Sequence, residues 1–416
     1  MPTSPDRPTE PRDGAVSRRR LLVSGGALGV LGVLSSAAPA SAKVAWTWAA
    51  SGSVAGSGVG LDPRTVWDAE ADPLVASLLD RGDVPRVNEL LRTWTRNDQP
   101  LPDGLPADLR DFMEQARQLP AWADMAKLRR AVDFNKKRGL YLGLLYGLGS
   151  GMMSTVIPKE AKAVYYSKGG ADMKSRISRT AKLGYDVGSP NAYLPDGEMI
   201  VTAVKTRLVH AAVRHLLPQS PGWDAAAEEV RPISQADMMV TWHSLPTFVM
   251  RKMRSWPLQI DAAESEAFLH SWQVTAHMLG ILDEYIPATW AEADAQAAQV
   301  LDPILAPTPE GLALADILLD LGSIGRPMLE SFTRYLLGDQ IAEWLEIPRH
   351  PGQDEMVRTG WPPFVMFREM GLLLPFAPEG YWTFDEILRQ GALFYLSEGR
   401  PISIEIPQGN REHYER

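Results

Sequence analysis

Apolar positions recur three and four apart along most of this chain, the period of helices that bury one face. Proline and glycine mark the breaks. The pattern predicts helices over 67–95, 107–119, 121–137, 171–183, 202–217, 235–255, 261–285, 289–306, 310–321, 325–345, 363–373 and 383–394. Residues 97–106 form a Pro/Asp turn region, and Tyr165 to Gly170 ends in another turn. Only Ile402, Ile404 and Ile406 alternate in the manner of a short strand. The expected class is all-α.

One uncharged run stands out, from Gly139 to Ile157. Its 19 residues have the length of a membrane span. Five glycines and three Ser/Thr favour a close-packed helix instead, so stable membrane insertion is not expected. Gly139, Gly143, Gly147 and Gly151 fall four apart and would form one smooth side. The Leu/Met/Tyr-rich remainder, 140–156, is a candidate wall for an apolar channel.

The helix at 202–217 carries two of the seven histidines, with Asp196 as its expected N-cap and Pro218 as its stop. Five residues at about 100° each place His210 and His215 roughly 140° apart, so they do not bind one metal together. His210 shares its stripe with Ala203, Thr206, Val213 and Leu217; His215 shares a face with Leu208, Ala211 and Ala212. Each could be a core histidine held by a hydrogen bond. Alternatively, a small apolar stripe around one histidine suits an axial ligand to a haem.

Composition narrows the choice. The chain has 416 residues, a formal charge of −9 and no basic block beyond its start, which argues against nucleic acid as partner. Ser17-Arg18-Arg19-Arg20-Leu21-Leu22, a Gly/Ala-rich apolar run and Ala40-Ser41-Ala42 read as an export signal over 1–42. The consecutive arginines suggest the twin-arginine export machinery and a secreted product. Residues 43–66 would then be a loose N-terminal strap, and 67–416 a single domain. There is no cysteine, which excludes disulfides, iron–sulfur clusters and covalent haem attachment. Any haem is b-type and non-covalent.

Arg176, Arg179 and Thr180 lie at i, i+3 and i+4 and share a side of their helix. Glu160 follows the uncharged run, where burial would raise its pKa and suit it to act as a base. Taken singly, each reads first as a solvated or helix-terminal residue.

Together these segments resemble the latex clearing proteins, secreted rubber oxygenases of actinobacteria. The resemblance rests on Ile157-Pro158-Lys159-Glu160-Ala161-Lys162, on Arg176-Ile177-Ser178-Arg179-Thr180-Ala181-Lys182-Leu183-Gly184-Tyr185-Asp186, and on Thr206-Arg207-Leu208-Val209-His210-Ala211-Ala212-Val213-Arg214-His215. It implies a globin-like helical core with flanking helices and one haem b per chain. It also implies cleavage of poly(cis-1,4-isoprene) by dioxygen to oligo-isoprenoids with aldehyde and ketone ends. His210 matches the proximal ligand, Glu160 the distal base, and Arg176 and Thr180 the residues that orient that base and the haem surroundings. A monomer is expected. Where the resemblance implies a lysine able to ligate iron in a closed state, this chain has Arg179, whose guanidinium offers no lone pair. A related haem oxygenase acting on another alkene or lipid, and a non-catalytic haem- or polymer-binding protein, are the alternatives.

Overall fold

The structure, a computed structural model, describes residues 45–167, 172–226, 231–321 and 325–410. The expected export signal and the turn at 168–170 lie outside those residues. In chain order the helices are α1 (Ala71–Asp80), α2 (Val84–Leu91), α3 (Ala107–Ala116), α4 (Met125–Leu144), α5 (Gly151–Ser154) and α6 (Pro158–Tyr166). They continue with α7 (Met173–Val187), α8 (Met199–Leu216), α9 (Pro221–Ala226), α10 (Gln235–Trp242), α11 (Phe248–Arg254) and α12 (Ala262–Met278). The last are α13 (Trp290–Val300), α14 (Pro309–Asp320), α15 (Arg326–Leu337), α16 (Asp339–Trp344), α17 (Pro351–Gly371) and α18 (Ala377–Leu396). The class is all-α. Two single π-helical turns, Leu145–Ser150 and His243–Thr247, link α4 to α5 and α10 to α11.

The helix starts follow ordinary capping chemistry. Asp124 accepts from Ala126 and Lys127 amides ahead of α4. Ser234 and Asp237 form a reciprocal capping box ahead of α10. The entry to α8 differs from expectation. Its N-cap is Glu198, with no side-chain cap, and Asp196 instead accepts from Asn191. The orphan amide of Ile200 is met from far along the chain by Asn97 Oδ1 at 3.0 Å. Asn97 also donates to the carbonyls of Ala192 and Leu194, tying the α7–α8 connection to the helix it introduces.

Helix α4 packs on α12 and α18, α1 on α8, and α7 on both α8 and α18. Trp94, Trp272, Phe134 and Phe268 are buried in the main core. Residues 140–156 of the uncharged run pack into this core and, at Met152 and Val156, into a second one with Leu319 and Ile341, and not along a channel. Leu145, Met152 and Val156 are fully buried. Its glycines do not form one smooth side: Gly139 and Gly143 face Asp385 and Arg389 of α18, whereas a Cβ on Gly147 would meet nothing. The close approach is at Gly149, where an added Cβ would meet the Phe248 ring at 2.7 Å. Among the described residues no single helix is long and apolar enough to cross a membrane.

The strap at 45–66 is tied down where it was expected to be loose. Trp48 Nε1 donates to Glu292 at 2.8 Å, and the Val54 amide donates to Ile286 O at 2.9 Å. The alternating isoleucines near the C-terminus make no strand. The side chain of Asn88 on α2 holds the Ile406 backbone at both N and O, 2.9 Å each, in place of a neighbouring strand.

Candidate active site

Helix α8 is clamped to the N-terminal part of the domain by two ion pairs seven residues apart. Arg207 holds Asp68 at 2.6 Å and 2.9 Å, and Arg214 holds Asp72 at 2.6 Å. Burial alone would raise the Asp68 pKa, but Arg207's hydrogen bonds and charge outweigh it and hold the carboxylate below its ordinary value. The clamp fixes α8 in rotation and height, and His210 lies between the two arginines in sequence.

His210 opens onto a cavity of about 530 Å³ between α6, α7, α8, α10 and the C-terminal segment, a size ordinary for a ligand site. Its walls are mostly apolar, with Ile157, Leu183, Val209, Val213, Trp242, Ile404 and Ile406 among them. Glu160, Arg176, Arg179 and Thr180 line the same cavity, as does Thr206 from the His210 stripe. Ala203 and Leu217, the other ends of that stripe, are buried in the core. His215 points elsewhere, toward Asp80 at 3.4 Å.

His210 has no hydrogen-bond partner among the described residues, and its Nδ1 is sealed from solvent. Burial, with Arg214 and Arg176 adding like charge, pushes its pKa down to about 3. It is therefore a neutral imidazole at physiological pH, with a lone pair to give. An orphaned buried nitrogen costs free energy unless something absent from the protein chain satisfies the ring. No cluster of three or more His, Asp or Glu that could hold a metal ion exists among the described residues. One neutral histidine over an apolar cavity fits a haem better than a bare ion.

Across α6, Glu160 sits in the first helical turn behind Pro158. Burial raises its pKa to about 7, opposed by a hydrogen bond from Thr241 and by the charge of Arg176, and helped by Asp237. The Thr241 hydroxyl lies 3.1 Å from Glu160 Oε2 and 3.2 Å from the Asp237 carbonyl oxygen. Its single proton serves one acceptor at a time. With Glu160 ionised, the proton turns to the carboxylate. With Glu160 protonated, the carboxyl donates to Thr241 and Thr241 donates to Asp237 O. Both protonation states are thus accommodated without moving a heavy atom. Arg176 acts on Glu160 through charge, and Thr241 supplies the hydrogen bond expected of Arg176. Thr180 back-bonds to the Arg176 carbonyl at 3.3 Å and makes no bond to Glu160.

Thr241 was not singled out from the sequence. Its signal was there: it lies four residues after Asp237, on the same side of a helix opened by a Ser-x-x-Asp cap. Lys159 completes this wall by pairing with Asp237 at 2.8 Å. Arg179 occupies a different place. It lines both the cavity and an adjoining open groove, as do Asp172 and Glu405, so these residues form the neck between the two. Arg179 Nη2 donates to Ser175 Oγ at 2.8 Å, and its charge helps hold Glu405 below its ordinary pKa, after the main contribution of Arg92.

The family model described as ER-bound oxygenase mpaB/B'/Rubber oxygenase, catalytic domain, matches residues 137–369. The chain belongs to the rubber oxygenase family. It is 58% identical over 401 residues to the rubber oxygenase of Streptomyces sp. (strain K30), covering 95% of this chain and 98% of that one. It also superposes on a solved structure of a latex clearing protein in the closed state, with a TM-score of 0.79 and 59% identity. That match covers 87% of this chain and 99% of the other. Glu160, Arg176, Arg179, Thr180, His210 and Thr241 all fall inside the matched catalytic domain of this oxygenase family. Ile404 and Ile406, which close one side of the cavity, fall outside it.

Proposed function

We propose that this rubber oxygenase family member is a secreted dioxygenase that cleaves poly(cis-1,4-isoprene) in mid-chain, with one haem b held by His210. The carbon–carbon double bond breaks, each carbon takes one atom of dioxygen, and the products end in an aldehyde and a ketone. The observation that carries the reading is His210: half-buried, uncharged, its sealed Nδ1 without a partner, and opening onto the apolar cavity that Glu160 also lines.

When bound, haem b supplies the dioxygen chemistry that no side chain here provides. The protein's own contribution has three parts. His210 offers a neutral nitrogen, kept neutral because burial and two arginines disfavour its cation. Glu160, poised near neutrality, takes a proton from the allylic position of the substrate and returns it later. Thr241 follows that proton by turning its hydroxyl, while Arg176 favours the ionised carboxylate. The substrate carries no charge, so it is held by apolar area alone, which the walls provide.

Secretion by the twin-arginine route belongs to the same reading, and substituting lysines for Arg18, Arg19 and Arg20 tests it by trapping the chain inside the cell. The decisive experiment combines an absorption spectrum of the purified protein with oxygen uptake over a latex emulsion. A Soret band, oxygen consumption and carbonyl-ended oligomers are expected. A haem-loaded protein that consumes no oxygen with the polymer would leave a carrier or an oxygenase for another alkene.

A further inference from the structure

Helices α17 and α18 leave the body of the protein joined by a short turn at 372–376, and they are built inside out. Among the described residues, thirteen of the nineteen large apolar side chains left exposed lie between Met356 and Tyr395. The most exposed cluster at the turn: Phe367 at 69%, Leu373 at 84% and Phe376 at 86%. Near the turn, charges of the same helices are turned inward, although Glu355, Arg358 and Glu379 stay outside. Arg368 and Asp385 are buried and paired at 2.8 Å and 2.9 Å, and Asp385 also accepts from the Leu140 amide. Glu369 faces buried Arg138 at 3.4 Å. A surface meant for water places these groups the other way round.

We infer that the α17–α18 turn is an adsorption face, which seats the enzyme on the hydrocarbon surface of a polyisoprene particle. This rests on the polymer reading above. The substrate phase is uncharged, and residues 370–378 carry no charge at all. A face for an anionic lipid surface would be ringed with lysine and arginine, whereas the first charged residue beyond this turn is Glu379. The exposed apolar side chains run on from the turn along α18, through Phe384, Ile387, Leu388 and Phe394, toward its far end. The chain leaving α18, from Leu396 to Glu405, forms one wall of the open groove, and Ile404 and Ile406 then line the cavity itself. The turn lies a helix length, about 30 Å, from that groove, so a particle seated on the turn and on the apolar stripe of α18 reaches the groove that leads to Glu160 and His210.

The test is a triple variant, Phe367→Ser with Leu373→Ser and Phe376→Ser, compared with a Val59→Ser control on another exposed apolar residue. Depletion from solution by emulsified, lipid-free polyisoprene measures adsorption. Each exposed side chain transferred to hydrocarbon is worth about tenfold, so the triple variant should adsorb at least ~100-fold more weakly. Its initial rate on the emulsion should fall, while turnover of a short, detergent-dissolved isoprenoid oligomer, its thermal melt and the control stay unchanged. Wild-type adsorption by the triple variant overturns the inference. So does a wild-type dimer that the substitutions turn into a monomer without loss of adsorption, or substitution-sensitive binding to anionic phospholipid vesicles without binding to the hydrocarbon. Failure of the wild type to cleave either substrate defeats the polymer reading instead, and the adsorption measurement still reports on this face.

Discussion

His243 is fully buried and His210 is half-buried at the cavity wall, and desolvation pushes both imidazoles down to about 3. Their surroundings differ. His243 sits in the π turn between α10 and α11, where Thr247 Oγ1 meets its Nδ1 and Gln296 Oε1 meets its Nε2, each at 2.8 Å. Gln296 is held in turn by donating to the Tyr285 carbonyl. His210 has none of this, and its Nδ1 is left sealed and alone. Basicity does not tell a structural histidine from a ligand. Satisfaction of the ring nitrogens separates these two, because an unpaired buried nitrogen calls for an explanation that a fully bonded ring does not.

The sharpest way to break this comparison is to remove each histidine with and without the cofactor. His210→Ala should abolish the Soret band, while a protein lacking His243 should keep it. Without haem the order should invert. His210→Leu removes an orphan and should be close to neutral in urea unfolding. His243→Leu leaves Gln296 and Thr247 unpaired and should cost about 2–4 kcal/mol. A Soret band that survives His210→Ala but not His243→Leu would reverse the assignment. The pH dependence follows from the same shift. Both folded pKa values lie below the ordinary 6.5, so between there and about 3 the unfolded chain binds more protons. Stability of the haem-free protein should be complete above 6.5 and decline as pH falls through that window, less steeply in His243→Leu.

The second comparison is between the two sides of the cavity, a ligand on α8 and a base on α6. Glu160→Gln keeps the shape but takes no proton. It should retain haem and lower turnover by at least ~10²-fold. In the wild type, turnover should fall about tenfold per pH unit below about 7, as the carboxylate is protonated, and the Gln variant should lack that limb. Thr241→Val removes a hydrogen bond that favours the ionised form, so its acid limb should move to higher pH. A limb that stays in place would take Thr241 out of the proton path.

The smallest expected effect concerns Arg179 at the neck. An arginine cannot close the site by ligating iron. The ferric protein should be high-spin and open to imidazole, and Arg179→Lys should shift only part of the population to a low-spin, six-coordinate form. Electron paramagnetic resonance distinguishes the two. A low-spin wild-type protein insensitive to imidazole would assign closure to another side chain.

Much of this was legible in the chain. The three-and-four period reached the helical class and most element positions, because burying one face of a helix writes itself into spacing. It merged α1 with α2 and α15 with α16, since the short turns at 81–83 and at Gly338 leave the period unbroken. It also began α17 at 363 when the helix starts at Pro351, because Pro362 and Pro363 are read as a stop and here lie inside the helix. Family motifs, more than composition, brought Glu160, Arg176, Arg179, Thr180 and His210 forward as a set.

What the sequence determined by itself is which residues share a side of which helix, for that depends only on the geometry of one helix. What each side meets was decided by the tertiary structure. The run at 140–156 has the composition of a channel wall and became core, because α4 packs on α12 and α18 and α5 packs on α14. Arg368 and Asp385 look like solvated charges and are buried against each other, while Phe367 and Phe376 look like core and face outward. Thr241 reaches Glu160 from 81 residues away, and Asn97 meets the Ile200 amide from 103 residues away. Hydrogen-bond satisfaction is a property of neighbours brought together by folding, so the unpaired ring of His210 could only be seen in three dimensions.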